Sequence, residues 1–237
     1  MYGRYKNTAL GFLWHFINPI VLLVVYYIAF TEMTSNTIEN YWLYLSSGLF
    51  AFSFLVGALT SGSGCIVSQG SIIKKMYVPK VVVVLAYVIS SFIVTLIGYL
   101  IILALMIITG TIQDIFTLLL LPVAFVLIFI FSLGCTLLLS ALTAYVKDIQ
   151  YALSSLHIAF FFLTPMFFIS KEATGLLGEI VWYNPLTYYI DMFHDILYWQ
   201  SLSDCSNLLI CLIIDVVVLI VGCIVFNKLK DGFPERI

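Results

Sequence analysis

Long stretches without a charged residue alternate along this chain with short breaks that carry polar and charged ones. Uncharged runs cover 7–31, 43–73, 81–113, 115–146 and 149–170, and a sixth apolar run, 205–227, contains one acid, Asp215. A helix needs roughly 20 apolar residues to cross a bilayer, so each run holds one crossing. The pattern predicts an all-α, polytopic membrane protein with six transmembrane helices over about 13–31, 43–64, 81–109, 117–145, 150–170 and 206–227, in a single domain spanning 1–237.

Two breaks have a pattern of their own. "SQGSIIKKMYVPK" (68–80) reads as a short helix lying against the membrane, ended by Pro79 before the third span. After Asn184 as N-cap and Pro185 at the first helical position, "PLTYYIDMFHDILY" predicts a helix of about 14 residues, roughly 21 Å long and too short to cross. Thr187, Asp191, His194, Asp195 and Tyr198 fall on one side of it and Leu186, Ile190, Phe193 and Leu197 on the other. That is the pattern of an interfacial helix or of a re-entrant hairpin.

Composition agrees with a membrane origin: 63% of residues are hydrophobic and 9% charged, where a soluble domain is about a quarter charged. When alternate loops are assigned to opposite sides, Arg4, Lys6, Lys74, Lys75, Lys80, Lys147, Lys228, Lys230 and Arg236 collect on one side and Lys171 alone on the other. Basic residues mark the cytoplasmic face, so both termini and the 68–80 loop of this multi-pass protein are expected there. No small-residue cleavage site follows the first apolar run, so no cleavable signal peptide is expected.

Candidate chemistry is sparse. Cys65, Cys135, Cys205, Cys211 and Cys223 show no C-x-x-C or Cys/His spacing, and His15, His157 and His194 are scattered, so neither a disulfide framework nor a metal site is expected. No phosphate loop, dinucleotide fingerprint, zinc-protease or nucleophile-elbow motif occurs. The chain is therefore expected not to be an enzyme and to hold no cofactor. If it performs work, another chain or an ion gradient supplies the energy. Asp215 lies in the sixth span, where an ionisable group is costly. It is read as a carboxyl hydrogen-bonded to a Ser or Thr of a neighbouring helix, with a proton-coupled carrier as the rival; for a proton relay the other spans offer His157 in the fifth and His15 at the cytoplasmic edge of the first. Gly57 with Ser61, and Ser140 with Ala144, have the spacing of close helix packing.

Several segments, taken in order, resemble one family. "RYKNTALGFLWHFINPI" is similar to the start of the permease subunits of bacterial ABC exporters for cell-surface polysaccharides of the O-antigen, teichoic acid or capsule type. "IIKKMYVPK", "YVKDIQ", "FFLTPMFF" and "WYNPLTYYI" resemble that family's later motifs. In one respect this sequence departs from the family, with only "MYG" ahead of Arg4 where family members carry an amphipathic interface helix; either the start is truncated or this member lacks the helix. The resemblance implies a homodimer bound to two copies of a nucleotide-binding ATPase, which carries the ATP and Mg. A polyprenol-linked polysaccharide would pass between the permeases, amid membrane lipid and with no nucleic acid involved. An ABC exporter of a drug or lipid is the alternative within the same class.

On that resemblance, Ile73, Lys74, Lys75, Met76, Tyr77 and Pro79 belong to a coupling helix seated on the ATPase, with Lys147 and Asp148 a second contact. The competing account makes the lysines topology signals beside lipid headgroups. Arg4, Lys6 and Trp14 form a basic and aromatic collar, read either as an interfacial anchor or as the substrate entrance, where the cations meet a pyrophosphate. Tyr26, Tyr27, Phe160, Phe161 and Phe162 are the conduit candidates, because a sugar's C–H face stacks on aromatic rings; the competing role is packing and lipid contact. Trp182, Asn184, Pro185 and Tyr188 mark the outer re-entrant segment. The charge asymmetry makes one prediction directly: cysteines introduced beside Lys74 and Lys147 should react with an impermeant maleimide only from the cytoplasmic side, and labelling from outside at either site would invert the topology.

Overall fold

The structure is a computed structural model that describes residues 14–31, 38–75, 79–201 and 205–236. Every regular element among them is helical. In chain order these are α1 (Trp14–Thr31), α2 (Tyr41–Leu59), α3 (Cys65–Ser68), α4 (Gly70–Lys75), α5 (Lys80–Thr109), α6 (Ile115–Leu118), α7 (Leu121–Tyr145), α8 (Asp148–Leu163), α9 (Gly175–Tyr183), α10 (Pro185–His194), α11 (Cys205–Leu229) and α12 (Phe233–Arg236). Short 3-10 turns cover Ser170–Glu172 and Lys230–Gly232, and one π-helical turn, Asp195–Trp199, extends α10.

Among the described residues four stretches are long and apolar enough to cross a membrane: Tyr41–Leu59, Lys80–Thr109, Ile115–Tyr145 and Asn207–Gly232. Ile20–Phe30 and Asp148–Leu163 are shorter apolar helices. The chain is thus an all-α polytopic membrane protein; four of its described helices have the length to cross, where the pattern of apolar runs predicts six crossings.

The fifth run shows why length fails there. Its helix was expected to reach residue 170 but stops at Leu163. Pro165 disfavours the helical conformation at the residue before it, and Thr164 is extended at φ −104°, ψ 133°. Sixteen residues rise about 24 Å, short of the roughly 30 Å hydrocarbon core. Irregular backbone at membrane depth survives only where protein covers it. Thr164 through Phe167 are all buried, and side chains satisfy the carbonyls that the broken helix leaves free. Asn184 Nδ2 donates to the Leu163 carbonyl (3.4 Å) and to Thr164 Oγ1 (3.1 Å), Tyr44 donates to the Phe168 carbonyl (2.7 Å), and Tyr41 reaches the Phe167 carbonyl at 3.5 Å.

The core is built around α2, which is buried on nearly every side. Tyr99 of α5 donates to the Ser47 carbonyl (2.7 Å) and Tyr87 to the Gly57 carbonyl (3.0 Å), tying α5 to α2 at two levels. The most extensive helix pair is α7 with α11, which run side by side in the same direction. A Cβ on Gly134 would lie 2.9 Å from the Leu219 nitrogen, and one on Gly222 would lie 2.5 Å from the Gly134 carbonyl oxygen, so the two backbones touch. In lipid, helices associate through such close packing because the tails are as apolar as leucine. The backbone contact falls at these glycines; Ser140 and Ala144 are also buried in close packing, whereas Gly57 has room for a Cβ.

Asp215 of α11 is 2% exposed. Its Oδ1 accepts from the Tyr189 hydroxyl at 2.6 Å, and Phe131 of α7 packs on the Tyr189 ring, with centroids 4.8 Å apart. The partner of the carboxyl is therefore a tyrosine of α10, not the expected Ser or Thr. Tertiary packing brings that tyrosine across from a separate segment.

Two stability predictions follow from these contacts. Gly134→Val and Gly222→Val should each lower the Tm of the detergent-purified protein by the equivalent of about 1–3 kcal/mol, whereas Gly57→Ala, whose Cβ would meet only the Tyr87 hydroxyl at 3.9 Å, should leave it unchanged or higher. Tyr189→Phe strands a buried carboxyl and should cost about 1–3 kcal/mol; Asp215→Leu placed in the Tyr189→Phe background should recover part of that loss. Thermal unfolding followed by circular dichroism checks both sets.

Candidate functional site

At the basic end of the bundle α4 places Ile73 inward, 8% exposed, and Lys74 outward. Pro79, exposed, precedes the first turn of α5. Lys147 and Asp148 are exposed at the start of α8, where the acid sits in the first turn and opposes the positive end of the helix dipole. The structure brings the two expected docking segments to one end. The Gln150 side chain lies against Gly64, so close that a Cβ there would sit 2.5 Å from Gln150 Nε2, and Gly64 leads into α3 and α4. Met76 and Tyr77 lie outside the described residues, as do Arg4 and Lys6, and of Lys75 and Trp14 only the helical backbone is described.

The conduit candidates divide. Tyr26 meets Phe161 (centroids 5.2 Å apart) and Phe167 (5.9 Å), and Phe30 stacks on Phe167 at 4.1 Å and 21°. Tyr26, Phe30, Phe161 and Phe167 thus form one aromatic cluster where α1 crosses the break after α8. Tyr27 turns away to Tyr41 (6.4 Å). Phe160 and Phe161 pack toward the core, while Phe162 points outward, edge to face with Phe161 at 5.2 Å.

Phe162 shares its outward face with residues that sequence reasoning missed. Tyr151, Ser154, Ser155 and Ile158 stand on the same exposed side of α8, at helical spacing, and no residue of α8 is fully buried. Ser154 and Ser155 donate to the carbonyls of Gln150 (2.8 Å) and Tyr151 (3.1 Å) in their own helix. Hydroxyls of this kind are enriched where helices meet in a membrane, because they can also bond across to a neighbour. The signal is present in "YALSSLH", but serine is uncharged and does not interrupt an uncharged run.

At the opposite end, α10 is the best-buried short element. Asn184 caps it by accepting from the Leu186 amide (3.0 Å), with Pro185 at the first position. Leu186, Thr187, Tyr189, Ile190, Met192, Phe193 and His194 are buried, so the helix is inserted among the others rather than resting on a surface. Thr187 and His194, expected on a polar outer face, point inward. His194 stacks on Tyr44 (3.9 Å, 21°) in a slot that exists because residue 48 is glycine, where a Cβ would lie 2.7 Å from Nε2. Trp182 and Tyr183 of α9 are 70% and 83% exposed, and Tyr188 donates to the Trp182 carbonyl (3.0 Å). Gln200, in the left-handed region at φ 45°, closes this end: its Oε1 accepts from the amides of Gln113 (2.6 Å) and Asp114 (2.9 Å), and its Nε2 donates to the Thr111 carbonyl (2.8 Å). Tyr198 donates to the Glu39 carbonyl at 2.7 Å. Among the described residues no cluster of three His, Cys, Asp or Glu side chains is placed to hold a metal.

Comparison with known proteins accords with this geometry. The O-antigen export system permease protein RfbA of Klebsiella pneumoniae is 28% identical over 232 residues, covering 98% of this chain and 89% of that protein. A second Klebsiella pneumoniae protein of that name is 26% identical with the same coverage, and its namesake from Myxococcus xanthus is 26% identical over 99% of this chain and 91% of its own length. The ABC-2 type transporter family description matches residues 1–198. With that match and an all-helical, multi-pass architecture in hand, the chain belongs to the ABC-2 type transporter family and is a transporter permease.

Proposed function

We propose that this chain is the transmembrane subunit of an ATP-driven exporter that moves a lipid-linked polysaccharide, of the kind named for its O-antigen-exporting relatives, across the bacterial cytoplasmic membrane. Membership of an ABC transporter family implies an ATP-binding partner subunit. Two such subunits, carrying ATP and Mg, would bind the basic end through α4, Met76, Tyr77 and the Lys147–Asp148 turn, with that end and both termini facing the cytoplasm.

The observation that carries the reading is the exposed face of α8. Tyr151, Ser154 and Ser155 put three hydroxyls on that face beside Phe162, and a second copy of the chain would turn them toward a shared, hydrated path. Hydroxyls and aromatic edges suit a sugar chain, which offers hydroxyl groups and C–H faces, better than they suit a bare ion. The Tyr26–Phe161–Phe167 cluster borders the outer end of that path, and Trp182 and Tyr183 hold its rim at the interface. At the inner end, Arg4, Lys6 and Trp14 would receive the pyrophosphate of the polyprenol carrier.

Two experiments in a glycan-exporting host test this. Ser154→Leu/Ser155→Leu should reduce surface glycan by about tenfold or more, in the range by which one misplaced group affects a positioned substrate, while Ile213→Leu on the exposed side of α11 leaves it unchanged; equal export by all variants would return α8 to lipid contact. At matched membrane abundance, Met76→Ala/Tyr77→Ala should detach or uncouple the ATP-binding subunit, because packed aromatic and apolar residues carry most contact energy. Lys74→Gln/Lys75→Gln should do less. The reverse order would make the lysines topology signals and remove the docking role from the segment.

A further inference from the structure

The C-terminal turn makes more contacts than a chain end resting on a surface. From the end of α11 the chain runs through Lys230–Gly232 into α12, and each step touches a different cytoplasmic-end element. Lys80, the first residue of α5, donates its ammonium to the Lys230 carbonyl and lies 5.8 Å from the centroid of the Phe233 ring. Phe233 is fully buried between Phe226 (5.5 Å) and Tyr145 (6.4 Å). Tyr145, the last residue of α7, donates to the Leu229 carbonyl at 3.0 Å, and Arg236 sits over its ring at 5.6 Å. Gly232 passes so close to the Tyr145 hydroxyl that any side chain there would displace it. α12 also packs against α4, the described part of the coupling segment.

These contacts close a ring. Without the turn, α4 is joined covalently to α5, and the Tyr145–Asp148 turn joins α7 to α8, but a push on one reaches the other only through the Gln150–Gly64 contact and the packing of α3 on α7. With the turn in place, α4, the head of α5 and the end of α7 are fastened to one another and to α11. Two cation–ring contacts, worth about 0.5–1 kcal/mol each where exposed, one buried phenylalanine and two hydrogen bonds hold them.

We propose that the Lys230–Arg236 turn is a transmission clasp: it holds the coupling segment and the Tyr145–Asp148 turn as one rigid body, so that force applied at either is delivered to the α7–α11 pair. This rests on the motor-driven reading above and adds to it the element that joins the two docking segments. The backbone contact between Gly134 and Gly222 then carries the displacement along the pair toward Asp215, Tyr189 and α10 at the other end.

The test uses the full chain copurified with its ATP-binding subunit. Phe233→Ala and Gly232→Leu should leave that subunit bound and hydrolysing ATP, while glycan export per ATP falls by about tenfold, within the usual range of a coupling effect between sites. Wild-type export per ATP in both variants would overturn the clasp. A second arm stands even if those variants are poorly inserted. In a background with Cys205 and Cys223 changed to Ser, a Lys80→Cys/Lys230→Cys pair, which lacks the Lys80 ammonium contacts, should export less per ATP than wild type and recover when bridged by a short bismaleimide, with reagent-treated single-cysteine controls showing no recovery, since a rigid clasp does not open during the cycle. Export blocked by the bridge but not in the controls would show that the ring opens, and would also overturn the proposal. A wild-type chain that binds no ATP-binding subunit fails the functional reading and takes the clasp with it. Normal coupling in the variants fails the clasp alone.

Discussion

The contact between the backbones of α7 and α11 at Gly134 and Gly222 is the constraint on which the rest of the molecule depends. Lipid gives two apolar helices little reason to associate, so a lasting pair must approach closely enough for dispersion to favour the protein over the tails. Glycine at both positions permits that approach, and its consequences run in both directions along the pair. Toward one end it sets Phe131 and Asp215 at a common level, where Tyr189 bridges them and fixes α10 inside the bundle. Toward the other it brings Tyr145 beside Leu229 and Phe233, where the C-terminal turn fastens onto the end that carries α4 and Lys147.

A second constraint shapes the region of the proposed path. Breaking a helix inside a membrane exposes carbonyls that lipid cannot satisfy, and the break after Leu163 is tolerated because Asn184, Tyr41 and Tyr44 come from elsewhere in the chain to bond them. The same break shortens α8 and turns the chain inward, gathering Phe167 with Tyr26, Phe30 and Phe161. One proline thus accounts for the short fifth helix and for the aromatic cluster at its end, while the polar stripe of Tyr151, Ser154 and Ser155 is left on the open face.

Much of this was legible in the sequence, for identifiable reasons. Apolar runs located the four helices long enough to cross because charge is costly in hydrocarbon, and Asn184 followed by Pro185 announced a helix start because capping is local chemistry. What could not be read depended on partners distant in sequence. Glycines 134 and 222 sit in uniformly apolar runs, and nothing in either run names the other. Asp215 advertised a need for a partner, but only the fold shows it to be Tyr189. His194 looked like a surface residue on a helical wheel, and is buried because Gly48, nearly 150 positions earlier, opens a slot for its ring. The early end of α8 was legible in principle, since Thr164 precedes a proline, but counting uncharged residues passes over that rule.

The central claim is that a pair of these chains forms the path of a lipid-linked glycan and that ATP drives its passage. The most direct measurement reconstitutes the chain with its ATP-binding subunit in vesicles, supplies a polyprenol-linked oligosaccharide on the nucleotide-accessible side, and follows its appearance on the other side by lectin or glycosidase accessibility. The account predicts transfer that requires ATP and both subunits and that falls sharply with Ser154→Leu/Ser155→Leu. Transfer at the same rate without ATP, or no transfer while the complex hydrolyses ATP and a proton gradient alone drives transport, would contradict it.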